Sequence, residues 1–299
     1  MYTVTDKKLI KALLPKRRQN SHKGTYGKAA IVAGSIDYTG AAYLATAACL
    51  RSGAGYTALF VPEKILPYYI LKAPEALLVS LCEGDRYAFN SSKMRELCAY
   101  DSIAFGMGMG VSEAVCRGAE WLLKHYEGKL ILDADGLNSL AEYRKTELKA
   151  LFTHKTCDVL ITPHSKEFSR LTGLKTEEIL SEPLRAASDW ARAYKTSVLL
   201  KNHETVITDG ERNFINRSGN SGQAKGGSGD VLSGVLAGLC AMGSNALDAG
   251  VCGAYLTGTA AELAVKETGE YSLLASDVIA YLGRAFLFVT EDTDEQCGD

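Results

Sequence analysis

Several features that mark other classes of protein are absent from this chain of 299 residues. No segment approaches the roughly 18 consecutive apolar residues of a membrane-spanning helix, and the first residues contain no apolar stretch typical of a secretory signal. The 33 basic and 35 acidic residues nearly balance, so no charge excess favours nucleic acid or an anionic membrane surface. We therefore expect a cytoplasmic protein with neither a nucleic-acid nor a membrane partner.

Paired cysteines and linkers are also missing. The eight cysteines form no C-x-x-C pair, and several lie in apolar stretches such as GLCAM, which indicates reduced, buried thiols rather than disulfides or a zinc site. No proline-rich linker and no repeat of 20 to 50 residues interrupts the chain. We expect a single domain over residues 1–299, with residues 1–20 as a helical lead-in and residues 290–299 as a frayed tail.

Short apolar runs of strand length recur along the chain, and segments with helical spacing separate them. The runs cover residues 28–34, 56–62, 75–81, 102–108, 129–136, 158–163 and 197–201. Strands that are apolar on both faces and alternate with helices predict an α/β fold, with a central, mostly parallel sheet covered by helices on both faces. A hairpin through Asp209-Gly210 and helices over 230–242, 246–267 and 276–288 are predicted to follow.

The segment GNSGQAKGGSGDVL, residues 219–232, combines many glycines with the start of an apolar helix near Asp230. A flexible surface loop would explain the glycines alone. An anion site explains more, because the helix start presents bare N–H groups and the positive end of the helix dipole, and glycine lets a phosphate approach closely. The sequence contains neither a Walker A loop nor the G-x-G-x-x-G spacing of a dinucleotide fold at this place.

Asp230 follows this turn immediately. An acid at a helix start is usually a favourable first-turn charge. A carboxylate beside a phosphate site is also suited to remove a proton from a hydroxyl that attacks phosphorus. We interpret Asp230 as such a base.

Polar residues and glycines also follow other predicted strands. GMGMG (106–110) is either a tight turn or a backbone wall against a ligand, since ligand sites of α/β proteins gather at this edge of the sheet. His164 is either a hydrogen-bonded structural residue or a substrate contact. Glu167, in the first turn of the next helix, either complements the helix dipole or is a water-mediated Mg²⁺ partner.

Two further strand ends carry charged residues with more than one interpretation. Asp133 and Asp135 in DADGLN are two residues apart, so on a strand they would share a face and could hold a divalent ion; capping of the following helix is the commoner use. Lys201 and Thr205 lie around a turn between two strands, where the lysine either neutralises a phosphate or is solvated. No residue is predicted as a direct metal ligand.

Taken together, these segments resemble the ADP- or ATP-dependent NAD(P)H-hydrate dehydratases of the ribokinase-like superfamily. The resemblance covers about residues 5–290 and rests on KGTYG (23–27), AGSIDYTGAA (33–42), GMGMG (106–110), DADGLN (133–138), TPHSKEF (162–168), LLKNHETVIT (199–208) and GNSGQAKGGSGDVLSGVLAGL (219–239). It implies a ribokinase-like fold. It also implies repair of NADH or NADPH hydrated at C6 of the nicotinamide ring, in the S epimer, at the expense of ADP or ATP with Mg²⁺.

The resemblance further implies roles for individual residues. Asp230 would be the base that deprotonates the C6 hydroxyl, and the N–H groups of Gly227, Ser228 and Gly229 would form an anion hole. Contacts with the hydrated dinucleotide are implied for Ala41, Gly108, His164 and Asp230. Contacts with the adenine nucleotide are implied for Lys201, Asn202, His203, Glu204, Thr205 and Gly229. A homo-oligomer, specifically a tetramer, is implied as well.

One alternative function remains at this point. A ribokinase-like kinase of a small alcohol, such as hydroxyethylthiazole or hydroxymethylpyrimidine, would use the same anion hole and the same aspartate but stop at a stable phosphate ester. The combination of KGTYG with K-N-H-E-T favours the dehydratase.

Overall fold

The computed structural model describes residues 1–291, and this part contains ten strands and twelve α-helices. The strands are β1 (Thr3–Val4), β2 (Lys28–Val32), β3 (Tyr56–Val61), β4 (Leu77–Ser80), β5 (Ser102–Phe105), β6 (Lys129–Leu132), β7 (Asp158–Ile161), β8 (Ser197–Leu200), β9 (Thr205–Thr208) and β10 (Asn213–Asn216). The helices are α1 (Lys7–Leu13), α2 (Thr39–Leu50), α3 (Ser91–Leu97), α4 (Glu113–His125), α5 (Ala134–Tyr143), α6 (Leu148–Thr153), α7 (Ser165–Thr172), α8 (Thr176–Ser181), α9 (Pro183–Tyr194), α10 (Ser228–Ala241), α11 (Ala246–Thr268) and α12 (Ala275–Thr290).

All ten strands form one sheet in the order β1-β10-β9-β8-β7-β6-β5-β2-β3-β4. The seven strands from β8 to β4 in that order pair in parallel, as the alternation of strand and helix predicts. β9 is antiparallel to both of its neighbours, β8 and β10, and β1 adds to the edge parallel to β10. The predicted hairpin is present between β9 and β10, where Gly210 has φ 96°.

The sheet separates two hydrophobic cores, because successive strand residues point to opposite faces. In β2, Ala29 and Ile31 belong to the core formed with α2, α10, α11 and α12, whereas Ala30 and Val32 belong to the core formed with α4, α5, α6 and α9. The other central strands alternate in the same way, so each strand is apolar on both faces. The predicted fold class, a mostly parallel sheet covered on both sides, is therefore confirmed.

The position of α10 is fixed by close packing against α2. A methyl group on Gly234 would lie 2.0 Å from the carbonyl oxygen of Ala45, and one on Gly238 would lie 2.6 Å from Cβ of Ser52. The hydroxyl of Ser102 at the start of β5 donates to the carbonyl of Ala237 at 2.7 Å. Because the helix touches both α2 and the sheet, its first turn is held at a defined place on the sheet edge.

Several predicted element ends differ from the structure. The predicted strand over 129–136 ends at Leu132, because the side chain of Asp133 accepts the N–H of Ala134 and starts α5. The lead-in over residues 1–20 contains α1 and also β1, which pairs over only two residues and gives no periodic signal in the sequence. The three predicted C-terminal helices are present as α10, α11 and α12. The predicted frayed tail lies mostly outside the described residues.

Candidate active site

The candidate site lies at the carboxyl ends of β7 and β8, where the first turns of α7 and α10 meet the sheet. The N–H of Lys201 donates to the carbonyl of Pro163 at 2.9 Å, and Lys201 forms a parallel bridge with His164. Parallel strands place the residues that follow them at one edge. His164, Lys201 and the glycine segment, which lie far apart in the sequence, are thus brought together.

The first turn of α10 leaves backbone N–H groups available. Gly227 is the N-cap residue and has φ 96°, a conformation in which a side chain is strained. Within residues 1–291, the N–H groups of Gly227, Gly229 and Asp230 have no acceptor, and that of Ser228 makes only a long 3.5 Å contact with the carbonyl of Lys225. A helix start with free N–H groups and a positive dipole end attracts an anion.

The glycine segment is fastened to the turn between α11 and α12. The ammonium group of Lys225 donates to the carbonyls of Tyr271 at 2.6 Å and Leu273 at 2.9 Å. The hydroxyl of Ser221 also bonds the carboxylate of Glu270. Lys225 therefore holds the loop in shape, and its charge is directed to these carbonyls rather than to the helix start.

Asp230 is the third residue of α10 and is only partly exposed. In the described chain its carboxylate has neither a hydrogen-bond nor an ion-pair partner. Burial raises the pKa of Asp230 most, the carboxylate of Asp133 raises it further, and Lys201 opposes the shift; the resulting pKa is about 7. An unpaired carboxyl with this pKa is suited to accept a proton near neutral pH.

Lys201 is held by a buried ion pair beside this helix start. Its Nζ lies 2.9 Å from Oδ1 of Asp133, whose side chain is 3% exposed, and Oδ2 of Asp133 accepts the hydroxyl of Ser233 at 2.7 Å. Burial lowers the pKa of Lys201, but the carboxylates of Asp133 and Glu167 outweigh it, so the pKa is raised overall. A methyl group on Gly229 would lie 3.4 Å from Nζ, which places a permanent positive charge next to the free N–H groups.

His164 caps the start of α7. Its Nδ1 accepts the N–H groups of Lys166 at 3.1 Å and Glu167 at 3.2 Å, while the carboxylate of Glu167 accepts the N–H of His164 at 2.9 Å. Burial and the charge of Lys201 lower the pKa of His164. Because Nδ1 accepts two N–H groups, the ring proton is placed on Nε2, which lies 3.5 Å from Oε1 of Glu167. This reciprocal capping supports the structural interpretation of Glu167.

Of the two interpretations of Asp133 and Asp135, the structure supports capping of the following helix rather than a shared strand face. Asp133 is the N-cap of α5 and Asp135 lies in its first turn, so the two carboxylates point to different partners. Asp135 accepts the N–H of Gly110 at 2.8 Å, while Asp133 binds Lys201 and Ser233. No group of three or more metal-ligating side chains is present among the residues that the structure describes.

A cavity of about 910 Å³ opens from this helix start along β9, β10 and α11. The predicted site residues that line it are His164, Lys201, Asn202, His203, Thr205, Gly227, Ser228, Gly229 and Asp230. Glu204 is not part of the lining. It forms a 2.7 Å ion pair with Arg217, and Arg217 does line the cavity. The volume suits a nucleotide-sized ligand.

Two predicted substrate contacts, Ala41 and Gly108, lie outside the lining of this cavity. They touch each other, since a methyl group on Gly108 would lie 2.8 Å from Cβ of Ala41 and 2.7 Å from Cβ of Tyr38. Asp135 connects them to the rest of the site: it bonds Gly110 in the same loop, and its charge acts on Asp230. The predicted residues thus form two adjoining groups.

The sequence analysis did not predict the side of the cavity that is formed by the end of β10 and by α10 and α11. Its additional residues include Asn216, Arg217, Ser218, Leu232, Ala254, Thr257 and Gly258. The small residues in the middle of α11 come next to the end of β10 only in the folded chain. Their spacing reads as ordinary helix packing, so only the fold reveals this side of the cavity.

The fold and this site define a ribokinase-like protein. The crystal structure of the ADP/ATP-dependent NAD(P)H-hydrate dehydratase from Bacillus subtilis, co-crystallized with ATP and Mg²⁺, superposes with a TM-score of 0.83 at 31% identity and covers 96% of this chain and 99% of that one. The NAD(P)H-hydrate dehydratase family model matches residues 29–284. The chain belongs to this family.

Curated relatives agree with this membership. The chain is 33% identical over 279 residues to the ADP-dependent (S)-NAD(P)H-hydrate dehydratase of Bacillus subtilis, covering 93% of this chain and 95% of that protein. It is 37% identical over 284 residues to a bifunctional NAD(P)H-hydrate repair enzyme of Thermofilum pendens. The chain spans about half the length of such bifunctional relatives, 53% in that case.

Proposed function

We propose that this chain dehydrates the S epimer of NADH or NADPH hydrated at C6, using ADP or ATP, and so restores the reduced cofactor. The observation that carries the proposal is the unpaired carboxylate of Asp230 beside the free N–H groups at the start of α10. Family membership supports the substrate, and the ADP dependence of the Bacillus subtilis relative supports the nucleotide requirement.

The proposed reaction has two steps. Asp230 accepts the proton of the C6 hydroxyl as its oxygen attacks the terminal phosphorus of the nucleotide, and the bond from phosphorus to the bridging oxygen breaks. The N–H groups of Gly227, Ser228 and Gly229 stabilise the negative charge on the transferred group, and Lys201 adds a fixed positive charge. The lone pair of the ring nitrogen then expels phosphate from C6, and loss of a proton from the ring leaves the reduced nicotinamide.

We propose two binding regions for the two ligands. The adenine nucleotide occupies the cavity and contacts Lys201, Asn202, His203, Thr205 and Gly229, all of which line it. Glu204 acts there through its ion pair with Arg217. The hydrated dinucleotide lies across Ala41, Gly108 and His164 and reaches Asp230. His164, with a proton on Nε2, is a hydrogen-bond donor toward this ligand.

Magnesium fits this arrangement as an ion carried by the nucleotide. The described side chains offer no three-ligand cluster, and Mg²⁺ is often bound mainly by substrate phosphates with one or two carboxylates and water. Bound in this way, it would neutralise phosphate charge. The proposal therefore assigns the ion to the phosphates and assigns none of the steps above to a protein-bound metal.

The test is recovery of the near-ultraviolet absorption band of reduced nicotinamide after the protein and ADP or ATP are added to acid-hydrated NADH or NADPH. Asp230→Asn should lower kcat by about 10²–10⁴-fold, because an amide cannot accept the proton. Nucleotide affinity should change little, since the backbone N–H groups remain. Comparison of ADP with ATP in the same assay identifies the donor.

Two results would contradict the proposal. One is retained turnover in Asp230→Asn. The other is phosphorylation of a thiazole or pyrimidine alcohol without recovery of the band, which would indicate the kinase reaction instead.

We further propose a cytoplasmic homo-oligomer, specifically a tetramer. Within residues 1–291, no helix combines the length and the apolar character required to cross a membrane. The seven cysteines of this part are free thiols, which suits a reducing compartment. Exposed apolar side chains at Tyr68, Ile70 and Leu71 offer a surface for association. Light scattering after size exclusion measures the oligomeric state, and cell fractionation measures the location.

A further inference from the structure

Two carboxylates and one ammonium group meet at the start of α10. Lys201 pairs with Asp133 at 2.9 Å, whereas Asp230 has no partner in the described part of the chain. All three groups are largely removed from water, so their charges act on each other strongly. The Asp230 carboxylate therefore stays unpaired only as long as the Lys201 ammonium pairs with Asp133.

Asp133 is fixed more firmly than an ordinary ion-pair partner. Its Oδ1 accepts the N–H of Ala134 at 2.9 Å as well as the Lys201 ammonium, and its Oδ2 accepts the hydroxyl of Ser233 at 2.7 Å. Ser233 lies three residues after Asp230, on the same face of α10. A single buried carboxylate thus connects the end of β6, the end of β8 and the helix that carries Asp230.

We propose that Asp133 is a positioning residue, whose carboxylate holds the Lys201 ammonium at the start of α10 and so prevents that ammonium from pairing with Asp230. The role rests on the proposed function, in which Asp230 must be free to take a proton. Asp133 itself touches neither the reacting hydroxyl nor the phosphorus in this scheme.

Loss of the Asp133 charge would leave Lys201 with two other carboxylates that act on it, Glu167 and Asp230. Glu167 is already engaged in capping α7 through the N–H of His164. The charged groups that face Asp230 are Asp133 and Asp135 from the start of α5 and Lys201 from the end of β8. A released ammonium would therefore turn to Asp230 and weaken it as a base.

The experiment uses Asp133→Asn, which keeps the size of the side chain and an oxygen that can cap α5. Carbon-13 NMR follows the carboxyl of Asp230 through a pH titration, with its signal assigned by its loss in Asp230→Asn. We expect the pKa of Asp230 to fall by about 1–2 units, because a negative neighbour is lost and a positive one comes closer. In the dehydratase assay, kcat should fall by about tenfold while KM for the nucleotide changes less.

Asp135→Asn is the matched control. It makes the same chemical change two residues further on, at a carboxylate that binds Gly110 rather than Lys201. We expect a smaller fall in the pKa of Asp230 than in Asp133→Asn. In a Lys201→Met background, Asp133→Asn should also lower this pKa less than in the natural protein, because no ammonium remains to be released.

An unchanged or raised Asp230 pKa in Asp133→Asn would overturn the inference, as would a shift that is equally large in the Lys201→Met background. If Asp133→Asn does not fold, Ser233→Ala removes one of the bonds that fix the carboxylate and should shift the pKa in the same direction by less; no downward shift there would also overturn it. Absence of turnover in the natural protein would contradict the proposed function alone, since the titration needs no turnover.

Discussion

Two glycine-rich segments reach the same edge of the sheet, and some of their glycines serve different purposes. In GMGMG, a methyl group on Gly106 would lie 2.2 Å from the carbonyl oxygen of Asp133, and one on Gly108 would lie 2.7 Å from Cβ of Tyr38. Around the start of α10, a methyl group on Gly226 would meet nothing within 4 Å, and one on Gly229 would come no closer than 3.4 Å to Lys201, although one on Gly227 would lie 2.6 Å from Cδ1 of Leu44.

The backbone hydrogen bonds differ in the same way. The N–H of Gly106 donates to Val32 at 3.2 Å, and the N–H of Gly110 donates to Asp135 at 2.8 Å. The N–H groups of Gly227 and Gly229 have no acceptor within the described residues. Gly106 and Gly108 thus allow protein to pack against protein, whereas Gly226 and Gly229 leave room for a ligand and the N–H groups of Gly227 and Gly229 are available as donors.

Gly106→Ala should cause the largest loss, because the methyl group would overlap the backbone of α5 and Gly106 has φ 124°. We expect the free energy of unfolding to fall by about 3 kcal/mol or more, from the combined cost of overpacking and of a strained backbone. Thermal or denaturant unfolding measures this. A variant as stable as the natural protein would show that the loop and α5 can separate without cost.

Gly229→Ala should weaken nucleotide binding without lowering the stability of the fold. Gly229 has no positive φ and lies in the first turn of a helix, where alanine is favoured over glycine by up to about 1 kcal/mol. Its methyl group would occupy the space beside Lys201 that a phosphate needs. We expect an unchanged or higher melting temperature and a nucleotide KM raised by about 10- to 100-fold, equivalent to about 1.4–2.7 kcal/mol. Unchanged nucleotide affinity would contradict the assignment of this helix start as the phosphate site.

Activity should depend on pH through Asp230, whose pKa is about 7. The base must be ionised, so kcat/KM should fall by about tenfold per pH unit well below this value and level off above it. The raised pKa also means that the folded state loses stability as pH rises from the ordinary value of 3.8 to about 7. Asp230→Asn should therefore raise the melting temperature by about 2–4 °C at alkaline pH and leave it little changed near pH 4. A lower melting temperature at alkaline pH would show that the carboxylate is stabilised by a partner.

The sequence predicted the sheet because its strands are apolar on both faces, and Ala30 and Ile31 lie in separate cores as that pattern requires. It also indicated the glycine segment and Asp230 as a candidate site, since the local order of glycine, acid and apolar helix carries that information. The roles given to these residues remain proposals.

The features of the site that could not be predicted from the sequence depend on contacts between distant segments. The ion pair of Lys201 with Asp133 and the bond from Ser233 join residues 68 and 100 positions apart. A pattern of charges along the chain left Lys201 either solvated or bound to phosphate, and neither alternative included a buried carboxylate partner. The different surroundings of the glycines in the two segments could not be predicted either, because composition does not show which atoms a β-carbon at each position would contact.

Gly110→Ala should cause the smallest effect. It tests the backbone conformation alone as a reason for glycine in GMGMG, without the close packing found at Gly106 and Gly108. A methyl group there meets nothing within 4 Å, but φ is 81°, so only the left-handed backbone opposes alanine. We expect the free energy of unfolding to fall by about 1–2 kcal/mol, with KM and kcat unchanged. Gly110→Asn should recover part of this loss, because asparagine tolerates the left-handed region better. Equal losses in both variants would indicate instead that a side chain disturbs the bond from the Gly110 N–H to Asp135.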